Sequence, residues 1–271
     1  MRVLNRLIGR RTNDLESRLL PTSVTMTFEA DNWGAERIAL DGIQNHLPGD
    51  SKGTRTDIEM MVDGEWIPRT EYDGGIVEAI SFGDDGKGYS DELLDVFHST
   101  KPDDEDAVGF FGNGLKMATA AALREGMGVT LYSREWKAVA EKVRKEVDGQ
   151  KIDQLAYRVS KNGGIDGSRT VFTDPTQEFI DYVLEIDRKI LALREDYQPI
   201  FQGSEKRAIV DDSGDMFIQG VFVKNHPDAL FGYELDLRRP KGSNRDEIDD
   251  YAIRNEINSI WNSMDSREPL K

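Results

Sequence analysis

The chain contains no cysteine, and this absence removes several classes of chemistry at once. Disulfides, thiolate nucleophiles and cysteine-based zinc sites all need a residue type that the sequence does not have. Histidine is scarce as well: His46, His98 and His226 lie far apart in sequence, so we do not expect a metal cluster built from them. The lack of cysteine fits a reducing compartment, and we expect an intracellular, cytoplasmic protein.

Long apolar runs are also missing. No stretch of the sequence approaches the ~20 apolar residues that a membrane helix needs. Residues 1–12 carry four arginines, but no apolar segment follows them, so they do not have the pattern of a signal peptide. We therefore expect no membrane partner.

Positive charge is in short supply relative to negative charge. The 271 residues include 51 Asp and Glu against 35 Lys and Arg, which gives a formal net charge of −16. A surface for nucleic acid would need a local basic cluster to overcome this field, so direct nucleic-acid binding is not expected. Hydrophobic residues make up 38% of the chain, which is enough at this length to build a substantial core.

The patterning of the chain predicts three segments: an N-terminal arm over residues 1–21, a main domain over 22–175, and a helix with a C-terminal segment over 176–271. In the main domain we expect helices over about Trp33–Leu47, Ser90–His98 and Leu115–Arg124. The expected strands are Ser23–Glu29, Asp57–Val62, Glu65–Arg69, Ile76–Phe82, Val129–Ser133, Lys137–Val147, Ile152–Val159 and Arg169–Thr173. This order favours an α/β (α+β) fold, a two-layer sandwich with helices on one face of a mixed sheet.

The C-terminal segment opens with an apolar stripe at helical spacing. The stripe predicts one long amphipathic helix over Pro175–Asp196. Strands are then expected at Ala208–Val210, Met216–Val223 and Tyr233–Leu237, followed by a helix over Arg245–Met264.

Three short motifs in the main domain carry chemistry. Asp41 and Asn45 are four residues apart on the first helix, so an acid and an amide face the same way. Asp84 follows an apolar strand and precedes Gly86 and Gly88, which gives a carboxylate beside a tightly bending backbone. The third motif is a glycine-spaced loop that runs into a helix and offers backbone N–H groups to phosphate; its residues are Gly109, Gly112, Asn113, Gly114, Leu115 and Lys116.

The order and spacing of these motifs resemble the GHKL ATPases, the Bergerat-fold group that includes the ATP-hydrolysing chain of DNA gyrase, the large heat-shock chaperone, MutL, the MORC proteins and histidine kinases. In that group an acid precedes an Asn by four residues, an Asp-x-Gly-x-Gly motif follows, and a glycine-spaced lid hinge comes third. The stretch Phe111-Gly112-Asn113-Gly114-Leu115-Lys116 is most similar to the MORC version. The resemblance covers roughly residues 22–175 and implies a Bergerat-type sandwich followed by a transducer-like segment.

The resemblance implies roles for the residues of the first two motifs. Asp41 would be the general base that orients the attacking water, although the family usually has Glu there, one methylene longer. Asn45 would be a Mg²⁺ ligand through its side-chain oxygen. Asp84 would accept a hydrogen bond from the adenine amino group, which favours adenine because guanine presents an oxygen at that position.

Further residues follow from the same resemblance. Residues 89–108 would form a lid over ATP, with Lys101 as a lid contact, and Lys116 would either contact phosphate or be exposed. Ser168 and Thr170, in Gly167-Ser168-Arg169-Thr170-Val171, resemble a fourth motif whose hydroxyl could bond water or Asp84. Lys241 or Arg245 would supply a cation to the γ-phosphate, or would belong to a basic surface loop.

We therefore expect a Mg²⁺-dependent ATP-binding domain that hydrolyses ATP slowly and uses it as a conformational switch, with a nucleotide-dependent homodimer and fused or separate effector domains. A non-hydrolysing ATP sensor or scaffold is the first alternative, because Asp41 replaces Glu. A histidine kinase domain is disfavoured, since no dimerising helix with a phosphoacceptor His precedes the motifs. A folded interaction domain without nucleotide is the remaining alternative.

Overall fold

The structure is a computed structural model that describes residues 17–28, 33–48, 55–94, 114–161, 164–195, 197–204, 207–211, 214–237 and 248–264. The chain divides into two compact units, Met1–Leu184 and Glu185–Lys271. The border therefore falls later than the one we placed at residues 175 and 176.

The first unit is built on an eight-stranded sheet in the order β1-β7-β6-β5-β8-β4-β2-β3. Its strands are β1 Arg18–Thr25, β2 Thr56–Val62, β3 Glu65–Pro68, β4 Val77–Asp84, β5 Gly128–Ser133, β6 Trp136–Val147, β7 Gln150–Lys161 and β8 Ser168–Thr173. Every neighbouring pair is antiparallel, so the mixed sheet that we expected is wrong for this unit. Strand β8 lies in the middle, between β5 and β4, and joins the two halves of the sheet.

Three helices of the first unit are α1 Ala35–Gln44, α2 Gly114–Arg124 and α3 Gln177–Leu184. Helix α1 packs against both α2 and α3, and α3 places Phe179 against Phe82 of β4 and Phe172 of β8. A Cβ atom at Gly42 would lie 3.1 Å from Phe172, so this glycine allows α1 to approach the sheet closely. The alanine-rich buried side of α2 similarly allows close contact with α1.

The second unit contains a five-stranded sheet in the order β12-β11-β13-β10-β9. Its strands are β9 Phe201–Ser204, β10 Arg207–Val210, β11 Asp215–Ile218, β12 Val221–Asn225 and β13 Gly232–Leu235. Strands β11 and β13 are parallel, and the other pairs are antiparallel. Helix α4, Asp250–Asn262, buries Ile253 and Ile260 in the core of this unit.

The described residues support the general α+β class, but two further expectations, both for the C-terminal segment, are wrong. The long helix over Pro175–Asp196 is wrong: α3 ends at Leu184, and the 3-10 turns Ile186–Arg188 and Leu191–Leu193 follow. The single strand over Met216–Val223 is also wrong, because Gln219 and Gly220 adopt positive φ angles of 52° and 70° and turn the chain between β11 and β12.

The helix expected over Ser90–His98 is replaced, in its described part, by a 3-10 turn at Asp91–Leu94; the remainder lies outside the described residues. None of the helices in the described ranges combines the length and the apolar character needed to span a membrane.

Candidate functional site

Asp84 and Ser168 face each other in the centre of the sheet, where β4 ends and β8 begins. Two residues earlier on β4, Phe82 pairs with Thr170. Because side chains two positions apart on a strand share a face, Asp84, Ser168 and Thr170 lie on the face that Phe82 presents to the helices. The antiparallel register therefore gathers the second and fourth motifs beneath α1.

The Asp84 carboxylate is held by donors from three different segments. Its Oδ2 atom lies 2.7 Å from His46 Nδ1 and accepts a hydrogen bond from the Ser168 hydroxyl. Its Oδ1 atom accepts a hydrogen bond from the backbone N–H of Gly86 at 2.8 Å. Only 1% of the side chain is exposed. Asp84 is therefore a fixed, inward-facing acceptor and not a residue of a surface turn.

These contacts decide the charge of Asp84. Burial alone would raise the pKa of this carboxyl group, but hydrogen bonds from His46, Ser168 and Gly86, with the charge interaction of His46, together lower the pKa below its ordinary value. The group is therefore ionised at neutral pH. A buried carboxylate in this state is an acceptor only.

His46 connects the end of α1 to both central strands. Its backbone N–H donates to the carbonyl of Ile43 at 2.8 Å, and its side chain is 2% exposed. Because ionised Asp84 can only accept, His46 Nδ1 is the donor in that pair, and Nε2 lies 2.9 Å from the Thr170 hydroxyl. We did not predict this residue, yet it lies three positions after Ile43, on the buried side of the amphipathic pattern.

The loop after β4 is anchored to β5 and β6. Gly88 has a φ of +62°, and a Cβ atom there would lie 2.5 Å from the Ser133 hydroxyl oxygen. The N–H of Tyr89 donates to Ser133 Oγ at 2.8 Å, while the Trp136 indole N–H donates to the Tyr89 carbonyl at 2.9 Å. The tight turn that the paired glycines predicted is therefore present.

Asp41, on α1, lies close to the start of helix α2. A Cβ atom on Gly114, the first residue of α2, would lie 3.4 Å from Asp41 Oδ1. The Arg37 Nε atom is 3.7 Å from Asp41 Oδ2, and the Arg37 guanidinium lies over the Trp33 ring at 4.4 Å. The first motif and the end of the third motif, distant in sequence, are thus adjacent in space.

Asn45 is the C-terminal cap residue of α1 and is partly buried. Its side-chain oxygen and the Asp41 carboxylate are one helical turn apart, and both are oxygen ligands of the kind that Mg²⁺ prefers. The described residues contain no group of three or more His, Cys, Asp or Glu side chains arranged for a metal ion. A Mg²⁺ ion at Asn45 would therefore need water and phosphate oxygens to complete its ligand shell.

Leu115 and Lys116 lie in the first turn of α2, next to Gly114. Lys116 is only 4% exposed, so the alternative that it is a simple surface lysine is wrong. Its long side chain is buried beside the start of the helix, where the partial positive charge of the helix N-terminus also lies.

Several residues with expected roles lie outside the described residues. They are Lys101, Gly109, Gly112, Asn113, Lys241 and Arg245. Their contributions to a lid, to phosphate binding and to a γ-phosphate contact stay predictions.

The described site has two chemically different ends along one helix. At one end, the residues around Asp84 present an ionised acceptor in a buried setting. At the other end, Asp41 meets the N-terminus of α2. Comparison with models of known protein families gives no match, and comparison with curated proteins gives none either.

Proposed function

We propose that the first unit is a Mg²⁺-dependent ATP-binding domain of the GHKL type that hydrolyses ATP slowly. The observation that carries this proposal is that α1 contributes to both ends of the site. Asp41 on this helix lies against the start of α2, and His46, just beyond the helix, contacts Asp84. This helix and the residue just beyond it would thus link a base-binding end to a phosphate-binding end.

At the base end, Asp84 would accept a hydrogen bond from the exocyclic amine of adenine. A buried, ionised carboxylate favours a donor, and it opposes the oxygen that guanine carries at the same position. Gly86 and Gly88 would let the backbone pass close to the base. The Ser168 hydroxyl stabilises the acceptor from behind.

At the phosphate end, the N-terminus of α2 offers backbone N–H groups and the positive end of a helix dipole. This arrangement suits the triphosphate, and Leu115 and Lys116 lie in the same turn. Asn45 would hold Mg²⁺ through its side-chain oxygen, while the ion neutralises phosphate charge. Asp41 would orient the water that attacks the γ-phosphorus.

The fold supports the same proposal. Helices packed against one face of a sheet match the two layers expected for a Bergerat-type sandwich, although the sheet is antiparallel and not mixed. The ATP-bound state would favour one arrangement of the lid over residues 89–108, and a homodimer and effector domains would read that state.

A non-hydrolysing ATP sensor is the second candidate, and a specific contact favours it. Asp41 is one methylene shorter than the usual Glu, and its carboxylate lies 3.7 Å from Arg37 Nε. A guanidinium beside the carboxylate competes with the attacking water for its oxygens. Binding of ATP without turnover would then be the function of this pocket.

Two measurements separate these alternatives. Calorimetry of ATP and of ADP, each with and without Mg²⁺, tests binding, and phosphate release under the same conditions tests turnover. Asp84→Asn is the matched control for contaminating ATPases, because a contaminant is indifferent to this variant. Phosphate release that requires Mg²⁺ and is lost in Asp84→Asn supports hydrolysis. Binding without release supports the sensor, and no binding at millimolar ATP leaves an interaction domain without nucleotide.

A further inference from the structure

The Asp84 carboxylate has nearly all of its acceptor capacity filled by the protein itself. Each carboxylate oxygen can accept about two hydrogen bonds. Among the described residues, Oδ2 is contacted by His46 and Ser168, and Oδ1 is contacted by the Gly86 N–H. The one acceptor position left by these partners is on Oδ1, beside Gly86. A ligand amine would therefore meet Oδ1 and not Oδ2.

His46 is the partner that fixes this choice. The Gly86 N–H holds Oδ1, whereas on Oδ2 the Ser168 hydroxyl rotates and follows its acceptor, so Ser168 alone would not fix the position of Oδ2. The His46 ring is rigid, is 2% exposed and is held at its far side by Thr170, 2.9 Å from Nε2. The orientation of the imidazole, set by β8, thus sets the orientation of Asp84.

We propose that His46 is a positioning residue that determines base specificity: it occupies Oδ2, keeps Asp84 an acceptor, and so selects a 6-aminopurine over a 6-oxopurine. The inference rests on the proposed function and names the residue behind its selectivity. Without the Nδ1 donor, Ser168 and the Gly86 N–H still hold the carboxyl group, but Oδ2 loses one of its two partners and takes up a proton more readily. A protonated carboxyl donates to a 6-oxo group, and selectivity falls.

The experiment compares ATP with ITP, which carries a 6-oxo group in place of the 6-amino group. Two variants of His46 test the two ring nitrogens, Nδ1 and Nε2, separately. His46→Asn keeps a nitrogen at the δ position, where it can donate to Asp84, whereas His46→Gln places its nitrogen at the ε position, near Thr170. Binding of both nucleotides is measured by calorimetry for wild type and for each variant, with a thermal unfolding curve for each.

We expect the ratio of ATP affinity to ITP affinity to fall by about tenfold in His46→Gln and to be largely kept in His46→Asn. A merely structural His46 gives a different pattern, because both variants then weaken ATP and ITP by the same factor and leave the ratio unchanged. That result overturns the inference about His46, whereas the proposed ATP-binding function of the wild-type protein stands. Should His46→Gln fail to fold, Thr170→Val replaces it, since it removes the contact at Nε2 and is expected to lower the same ratio.

Two results for the wild-type protein are also decisive. Equal affinity for ATP and ITP overturns base selection through Asp84, and with it the role of His46, while nucleotide binding stands. No binding of either nucleotide overturns the proposed function itself.

Discussion

Gly167 passes so close to the backbone of Asp84 that a Cβ atom at residue 167 would lie 1.9 Å from the Asp84 carbonyl oxygen. Gly167 also has a φ of +76°, a conformation that other residues adopt at a cost. The residue before β8 is thus constrained twice, by backbone angle and by space. This contact holds the start of β8 against the end of β4.

Gly167→Ala is therefore expected to destabilise the protein by about 3 kcal/mol, since strain and a backbone clash add. Gly149→Ala is the matched control, because Gly149 has a φ of +75° with nothing within 4 Å of an added Cβ. The control should lose only about 1 kcal/mol from the backbone angle. Urea unfolding of both variants measures the difference, and equal losses would show that the close approach to Asp84 does not matter.

Asp84→Asn is expected to weaken ATP binding by roughly 1–3 kcal/mol, because an amide presents a donor or a weaker acceptor to the adenine amine. Calorimetry measures the affinity, and thermal unfolding confirms that the variant is folded. Wild-type affinity in this variant would remove Asp84 from base recognition.

The lowered pKa of Asp84 also predicts how stability depends on pH. The unfolded chain binds a proton near the ordinary value of 3.8, and the folded chain binds it only at lower pH. The contribution of ionised Asp84 is therefore complete above that value and is lost as pH falls through the folded pKa. In urea unfolding, the stability difference between wild type and Asp84→Asn should shrink as pH falls below the ordinary carboxyl range. A difference that grows with acidity would contradict this assignment.

Variants of Asp41 and Asn45 should affect ATP turnover and Mg²⁺-dependent ATP binding differently. Asp41→Asn is expected to keep ATP binding and abolish phosphate release, and Asn45→Ala should lose the part of the affinity that depends on Mg²⁺. Asp41→Glu restores the longer side chain usual in the resembling family and is expected to raise the rate. Glu36→Gln, an exposed change on the same helix, is the control. Unaltered turnover in both Asp41→Asn and Asn45→Ala would remove α1 from the chemistry.

ATP is expected to promote pairing of two chains, in line with the resemblance and with the arginine-rich residues 1–12, which lie outside the described residues. Linkage requires that pairing and nucleotide binding strengthen each other. Sedimentation should show a monomer without nucleotide and a larger species with a non-hydrolysable ATP analogue, and deletion of residues 1–12 should weaken the shift. A monomer under all conditions at high concentration would contradict it.

Local chemistry allowed much of the first unit to be predicted. Asp63-Gly64 and Asp148-Gly149 make turns with positive φ angles, and the flanking strands lie close to where the alternation placed them. The apolar stripe after Pro175 misled us because its residues serve two units. Phe179 packs in the first unit with Phe82, whereas Ile190 is buried in the second, where it forms a bridge with Val221. Helical periodicity predicts which residues are buried, but it does not predict which of the two hydrophobic cores they belong to.

His46 was missed for a related reason. Its partners Asp84 and Thr170 are 38 and 124 positions away in sequence, so no local pattern connects them. Only the sheet register brings the three side chains together. The acid, amide and glycine motifs could be proposed because each is local in sequence, whereas the contacts of His46 are not.

The central position of β8 has a consequence for the order of folding. Before β8 is present, β2, β3 and β4 form one group of paired strands, and β5, β6 and β7 with β1 form another. Asp84 and Ser168 are 84 positions apart, so their pairing closes a long loop. Because closing this loop costs conformational entropy, we expect the pairing of β4 with β8 to form late in folding. During synthesis, a nascent chain that ends before residue 168 holds two unjoined half-sheets and an Asp84 without its β8 partners. ATP bound as proposed would therefore stabilise only the finished domain and not the two separate half-sheets.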